Sequence, residues 1–167
     1  MLIKILGFVL LTGAGALLGY RQSQHYKKRE QLLSEVVRLC DSMINDITYF
    51  QPTLSQMLKS RFDTFPMLGN MLERYIALLD NKITIDHDVL LAHVPKEKFN
   101  DEEYMLFIQL LDILGKSDSL TQRGGILSLK EAFLIKQNTA IEESKKYGNL
   151  FFKLGVLGGL AAGVIVL

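Results

Sequence analysis

Asp86, His87 and Asp88 stand side by side, and carboxylates beside an imidazole are the residue types that general acid–base pairs and metal sites use. The rest of the chain offers them little support. His25, His87 and His93 are too scattered for a local metal site, and neither an HExxH nor a DxDxDG pattern occurs. The same triplet opens a short apolar-periodic stretch, where acidic residues ordinarily cap a helix, and capping is the reading adopted. A membrane-bound hydrolase using Asp86, His87 and a distant carboxylate would need a cleft with converging polar groups. There is no G-x-S-x-G and no Walker lysine. The single cysteine, Cys40, excludes an intrachain disulfide framework and falls on an apolar stripe, as a small buried hydrophobe would. The expectation is therefore a non-enzyme with no catalytic residue, no metal and no cofactor. Energy, if its process needs any, must come from a partner.

Charge placement says more than charge balance. Nineteen basic and eighteen acidic residues leave a net charge of +1, which carries no nucleic-acid signature. Leu154 to Leu167 contain no charge, and the first twenty residues contain only Lys4. Ile5 to Tyr20 form an uncharged run which, with Met1 to Ile3 and a snorkelling Lys4, reaches about 20 residues, the span of a bilayer core. A signal peptide is the rival reading, but no clean A-x-A site follows and the helical pattern runs on into the polar region. Asn149 to Leu167 is apolar all round and has no amphipathic stripe, so spanning is preferred to burial. Both runs are near the short limit, and lying in the interface is the alternative. The expected organisation is residues 1–20 as an N-terminal transmembrane anchor, 21–148 as a cytoplasmic helical domain and 149–167 as a C-terminal anchor.

Gly15 and Gly19 stand four apart, as do Gly155, Gly159 and Gly163. Small residues at that spacing let helix backbones approach closely in lipid, although glycine is also simply common there. Arg21, Lys27, Lys28 and Arg29 follow the first run, and Lys145 and Lys146 precede the second. The positive-inside rule then places the middle domain in the cytoplasm and both termini across the membrane. The basic stretch Arg21 to Arg29 reads as a topology signal with lipid-headgroup contact.

Between the anchors the pattern is helical throughout. Leu32, Leu33, Val36, Val37, Cys40, Met43, Ile44 and Ile47 recur at helical spacing. Opposite them lies a polar face that includes Ser34, Glu35, Arg38, Asp41 and Ser42. With no glycine or proline from Arg21 to Gln51, one long helix is predicted to leave the membrane and become the first core helix, ended by Pro52. Further helices are predicted over Thr53–Phe62, from Pro66 to about Asp80, over Thr84–His93, and from a cap at Asn100 or Asp101 to a left-handed Gly115. Ser117 or Asp118 caps the last helix, with Ser119 and Gln122 as an S-x-x-Q box alternative. Its stretch from Lys130 to Lys146 is polar on most faces, as a solvated rod would be. The fold class is all-α: an antiparallel bundle of about six helices whose long first and last members continue into the two anchors.

Several runs then resemble stage III sporulation protein AB of endospore-forming bacteria. They are MLIKILGFVLL at the start, YRQSQHYKKRE, DITYFQPTL, LGKSDSLTQ from Leu114 to Gln122, and the tail introduced by YGNLFFKLG. The L-G-x-S-D-x-x-x-Q run is the most specific. The resemblance implies a component of the mother-cell membrane facing the forespore, within the secretion-like channel that joins the two cells. It implies a cytoplasmic domain similar to that of the type II secretion F protein. The implied partners are other channel proteins and a companion sporulation ATPase. The expected function is a non-enzymatic assembly platform or scaffold, with Ser117, Asp118 and Gln122 shaping the turn before the last helix by capping or partner contact. A generic membrane-tethered adaptor, the hydrolase above, and a small pore are the alternatives, and the lack of charge inside the spans argues against an ion path. A homo-oligomer is compatible with all of these.

Overall fold

The computed structural model describes residues 2–49, 54–60, 64–116 and 119–166. Among them every regular element is helical: α1 Leu2–Tyr49, α2 Leu54–Lys59, α3 Gly69–Asp80, α4 His87–His93, α5 Asp101–Lys116, α6 Ser119–Glu143 and α7 Asn149–Val166. A π-helical turn, Ser144–Gly148, joins α6 to α7 without a break, so the described residues form six continuous helices. The chain divides into two compact units, residues 31–138 and residues 1–30 with 139–167.

In the unit 31–138, α1 supplies a buried stripe of Leu32, Leu33, Val36, Val37, Leu39, Cys40 and Met43. Ile44 and Ile47 are only half-buried. The face expected to be polar is not left to solvent, since Glu35 and Ser42 are buried on it. The segment before α3 covers Glu35: its Oε2 accepts hydrogen bonds from Met67 N at 2.8 Å and Leu68 N at 3.1 Å. One carboxylate thus accepts from two successive backbone donors at the entry to α3, Leu68 N being shared with the Phe65 carbonyl. Arg38 lies over the Phe65 ring, 5.9 Å from its centroid, so a second residue of the expected polar face packs on the same segment.

The remaining elements close around this stripe. Met57 and Leu58 are the buried residues of α2, and Ser55 and Lys59 both donate to Asp80 at the end of α3. The inward face of α3 and its cap residue is Leu68, Met71, Leu72, Tyr75, Ile76 and Leu78, while Leu79 is half-buried. Helix α4 begins at His87, later than the predicted Thr84, because Asp86 caps it by accepting from Val89 N at 2.9 Å. Asn100 and Glu103 form a reciprocal capping box at α5: Asn100 Oδ1 accepts from Glu103 N, and Glu103 Oε2 from Asn100 N. Phe107, Ile108, Leu110, Leu111 and Leu114 face inward from α5.

Two expectations at the α5–α6 junction are corrected. Gly115 is not a left-handed terminator, because α5 continues through it to Lys116 and no glycine among the described residues has positive φ. The glutamine half of the S-x-x-Q box is employed elsewhere. Ser119 is already the first residue of α6, and Gln122 Nε2 instead donates to the Leu114 carbonyl at 2.7 Å, satisfying an orphan acceptor at the end of α5. The predicted solvated rod is also corrected. Within this unit α6 buries Ile126 and Phe133, pairs Lys130 with Asp41 and Lys136 with Glu102, and hydrogen-bonds Gln137 to Ser34. Small positions permit the approach: a Cβ on Gly125 would come 3.0 Å from the Ile113 side chain.

Burial makes Glu35 costly to ionise and pushes its pKa up, against the two backbone donors and Arg38, which favour the charge. The fold therefore prefers the protonated carboxyl. Its stabilising contribution is full below the unfolded value near 4.5 and is lost as pH rises through the higher folded value. Glu35→Gln keeps an acceptor for the backbone donors and should flatten the stability profile just above pH 4.5, as read by urea unfolding across pH. Glu35→Ala removes the acceptor of Met67 N and one of the two acceptors of Leu68 N, and should cost about 1–3 kcal/mol below pH 4.5.

Candidate functional site

The other unit is built from the two ends of the chain, α1 up to Glu30 and the helix from Thr139 onward. Their contacts run antiparallel. Arg29 pairs with Glu143, Tyr26 packs on Tyr147 and Phe151, and Gly19 lies against Phe151 and Gly155. Gly15 lies against Gly155 and Gly159, and Phe8 against Gly163. As numbers fall along α1 they rise along α7. The contact is backbone on backbone: a Cβ at Gly15 would come 2.5 Å from the Gly155 carbonyl oxygen and 2.8 Å from the Gly159 Cα. Gly13, Gly124 and Gly158 have nothing within 4 Å of that position.

The outside of this pair inverts the usual pattern of a protein in water. Its seam is lined by glycine, while Leu6, Val9, Leu10, Leu17, Leu18, Leu157, Val164 and Ile165 are exposed, Leu18 to 68% and Ile165 to 87%. Large apolar side chains turned outward around a small-residue seam are what helix pairing in lipid produces. The stretch Gln122–Ile165 is one helix long and apolar enough to cross a membrane among the described residues. The side chains of Met1 to Ile5, which the expected first anchor includes, lie outside the described residues.

The π-turn sets the phase of this seam. Ile126, Phe133 and Ala140 are buried at seven-residue steps, and an unbroken α-helix would next turn Tyr147 and Leu154 inward. The five-residue turn Ser144–Gly148 absorbs one extra residue. Ser144 and Gly148 are buried instead, and Gly155, Gly159 and Gly163 follow on the seam. Opposite the turn, Ser23 is buried with its Oγ 3.7 Å from where a Gly148 Cβ would sit.

The basic residues divide into two groups. Arg21, Lys27, Lys28, Lys145 and Lys146 are exposed, with Lys146 5.1 Å from the Tyr147 ring centroid. Arg29 is not a free surface charge, because it is half-buried and bound to Glu143. Ser117 and Asp118 lie outside the described residues. Asp86 is occupied as a helix cap and His93 Nδ1 meets the Val89 carbonyl 2.9 Å away, so neither is turned toward a shared centre. Cys40 is fully buried, and desolvation pushes its thiol up to about 12, far from a reactive thiolate. Among the described residues no group of three or more His, Cys, Asp or Glu could hold a metal ion.

The family model described as stage III sporulation protein AB matches residues 4–167. The chain belongs to this family. Membership in the stage III sporulation protein AB family implies a role in sporulation. No curated protein and no solved structure matches the chain.

The stage III sporulation protein AB match takes in both apolar ends together with the helices between them. Three features of the structure left little mark in composition: the Tyr26–Tyr147–Phe151 cluster, the π-turn and the buried Glu35. The aromatic cluster had the strongest signal, since Tyr147 and Phe151 stand four apart on one helix face.

Proposed function

We propose that this chain is a non-enzymatic, membrane-anchored platform in the mother cell–forespore channel needed for endospore formation. Both apolar ends span the mother-cell membrane as an antiparallel helix pair, and the helices of residues 31–138 lie in the cytoplasm. Those helices dock other channel proteins and the companion ATPase, which supplies the energy the platform lacks. The observation that carries this reading is the glycine seam of Gly15, Gly19, Gly155, Gly159 and Gly163, flanked by outward-facing leucine, valine and isoleucine. Such a pair has its driving force in lipid, where close backbone packing replaces apolar burial. Family membership supports the sporulation setting.

Deletion of the gene in a spore former is expected to arrest development after engulfment, and normal spore yield would overturn the proposal. The full-length protein in detergent is expected to retain the companion ATPase at micromolar concentration. A failure of that complex, with the deletion phenotype intact, would leave a sporulation protein that is not the ATPase platform.

A further inference from the structure

We propose that Arg21, Lys27, Lys28, Lys145 and Lys146 form a collar that binds the phosphate headgroups of anionic phospholipids at the rim of the apolar helix pair. This rests on the membrane reading of the two ends. The antiparallel register puts Lys27 and Lys28 at the same level as Lys145 and Lys146, since Tyr26 stacks between Tyr147 and Phe151 one residue away. Arg21 stands seven residues before Lys28, two turns along the same face of α1. All five are exposed.

Three observations favour lipid as the occupant. The aromatic cluster lies at the start of the second apolar run and six residues past Tyr20, the end of the first, near the level at which tyrosine rings settle between hydrocarbon and headgroups. Beyond Arg21 on α1 and the exposed Lys153 on α7 the outer faces of the pair are apolar, so a ligand at the collar borders the lipid around the helices. Charge is also partitioned between the units. The unit carrying the collar holds eight of the nineteen basic residues and three of the eighteen acidic ones. Of those three, Glu143 is held by Arg29, leaving Glu30 and Glu142 as the other carboxylates near the collar. The unit 31–138 is net acidic, so the basic collar is not a general property of the surface.

The test uses the full-length protein reconstituted in phosphatidylcholine vesicles with spin-labelled phosphatidylglycerol or spin-labelled phosphatidylcholine. The motionally restricted fraction of each label reads its association with the protein. Phosphatidylglycerol is expected to be preferred by roughly threefold or more, given the attraction of each basic side chain near an anionic surface. The preference should shrink in about 1 M salt, where screening reaches only about 3 Å. It should approach equality in the variant K27Q/K28Q/K145Q/K146Q. Equal association of both labels with the wild type, or a preference untouched by salt and by the variant, would overturn the collar while leaving the membrane anchors standing. No restricted lipid of either kind would overturn both. Collar-dependent binding of polyglutamate without lipid preference would assign the surface to an acidic protein and overturn the lipid proposal.

Discussion

Gly155→Leu is expected to break the pairing of the two chain ends, whereas Gly158→Leu, three residues along the same helix, should leave it intact. A Cβ at Gly155 would fall 2.5 Å from the Gly15 carbonyl oxygen and 2.8 Å from the Gly19 Cα. Those are backbone atoms of α1, and no rotamer change moves them aside. At Gly158 nothing lies within 4 Å, so the added side chain joins the exposed apolar surface. Gly163→Leu falls between, because its closest neighbour is the Phe8 ring at 2.6 Å, which can rotate. Overpacking of this kind costs about 1–3 kcal/mol, which corresponds to roughly 5- to 150-fold in the pairing equilibrium. A disulfide provides the readout. Ser23→Cys with Gly148→Cys, in a Cys40→Ala background, joins positions that already face each other across the seam. Cross-linking should be efficient in the parent and with Gly158→Leu, reduced with Gly163→Leu, and nearly lost with Gly155→Leu. Equal cross-linking in all of them would show that the glycine seam does not hold the ends together.

Much of this arrangement can be read from residue order, and what cannot has identifiable causes. The continuous α1 follows from a stretch without glycine or proline between Arg21 and Gln51, and the structure keeps it helical from Leu2 to Tyr49. Gly15 and Gly155 are conspicuous by spacing, but their neighbours Gly13 and Gly158 are equally glycine and face nothing. Only the partner helix decides which of them matter. At Glu35 polar type and helical phase both point to the surface. It is buried because the segment Phe65–Leu68 needs an acceptor for its backbone donors, a demand made from about thirty residues away. Gln122 has the spacing of a local capping box, yet its amide reaches back to Leu114. The π-turn is hidden for a related reason. A seven-residue pattern and an eight-residue step from Ala140 to Gly148 differ by one position, and a run rich in inward candidates fits either. Local chemistry fixes element type well; it does not say which distant backbone group will claim a side chain.

Tyr75→Ala is expected to cost about 3–5 kcal/mol, the range for removing a fully buried aromatic side chain. Tyr75 has no exposed surface on α3, and its Oη donates to the Leu111 carbonyl of α5 at 2.8 Å. The change would open a cavity and remove the side-chain hydrogen bond that ties α3 to α5. Domain stabilities lie at about 5–15 kcal/mol, so the loss takes a large share of what holds the helices of residues 31–138 together. At about 4 °C per kcal/mol for a unit near 100 residues, the thermal midpoint should fall by roughly 12–20 °C. Tyr75→Phe separates the two contributions, since it keeps the ring and removes only a hydrogen bond worth about 0.5–1.5 kcal/mol. It also makes a claim that packing alone does not. Burial, with Asp112 nearby, pushes the Tyr75 phenol well above its ordinary value of 10.0. The fold therefore favours the neutral phenol, and that contribution is lost as pH climbs past the unfolded value toward the folded one. Wild type should thus weaken steeply above about pH 10, while Tyr75→Phe, less stable at pH 7, should lose less over the same interval. Parallel alkaline profiles for the two proteins would show that the phenol reaches water, and the buried bond between α3 and α5 would have to be abandoned.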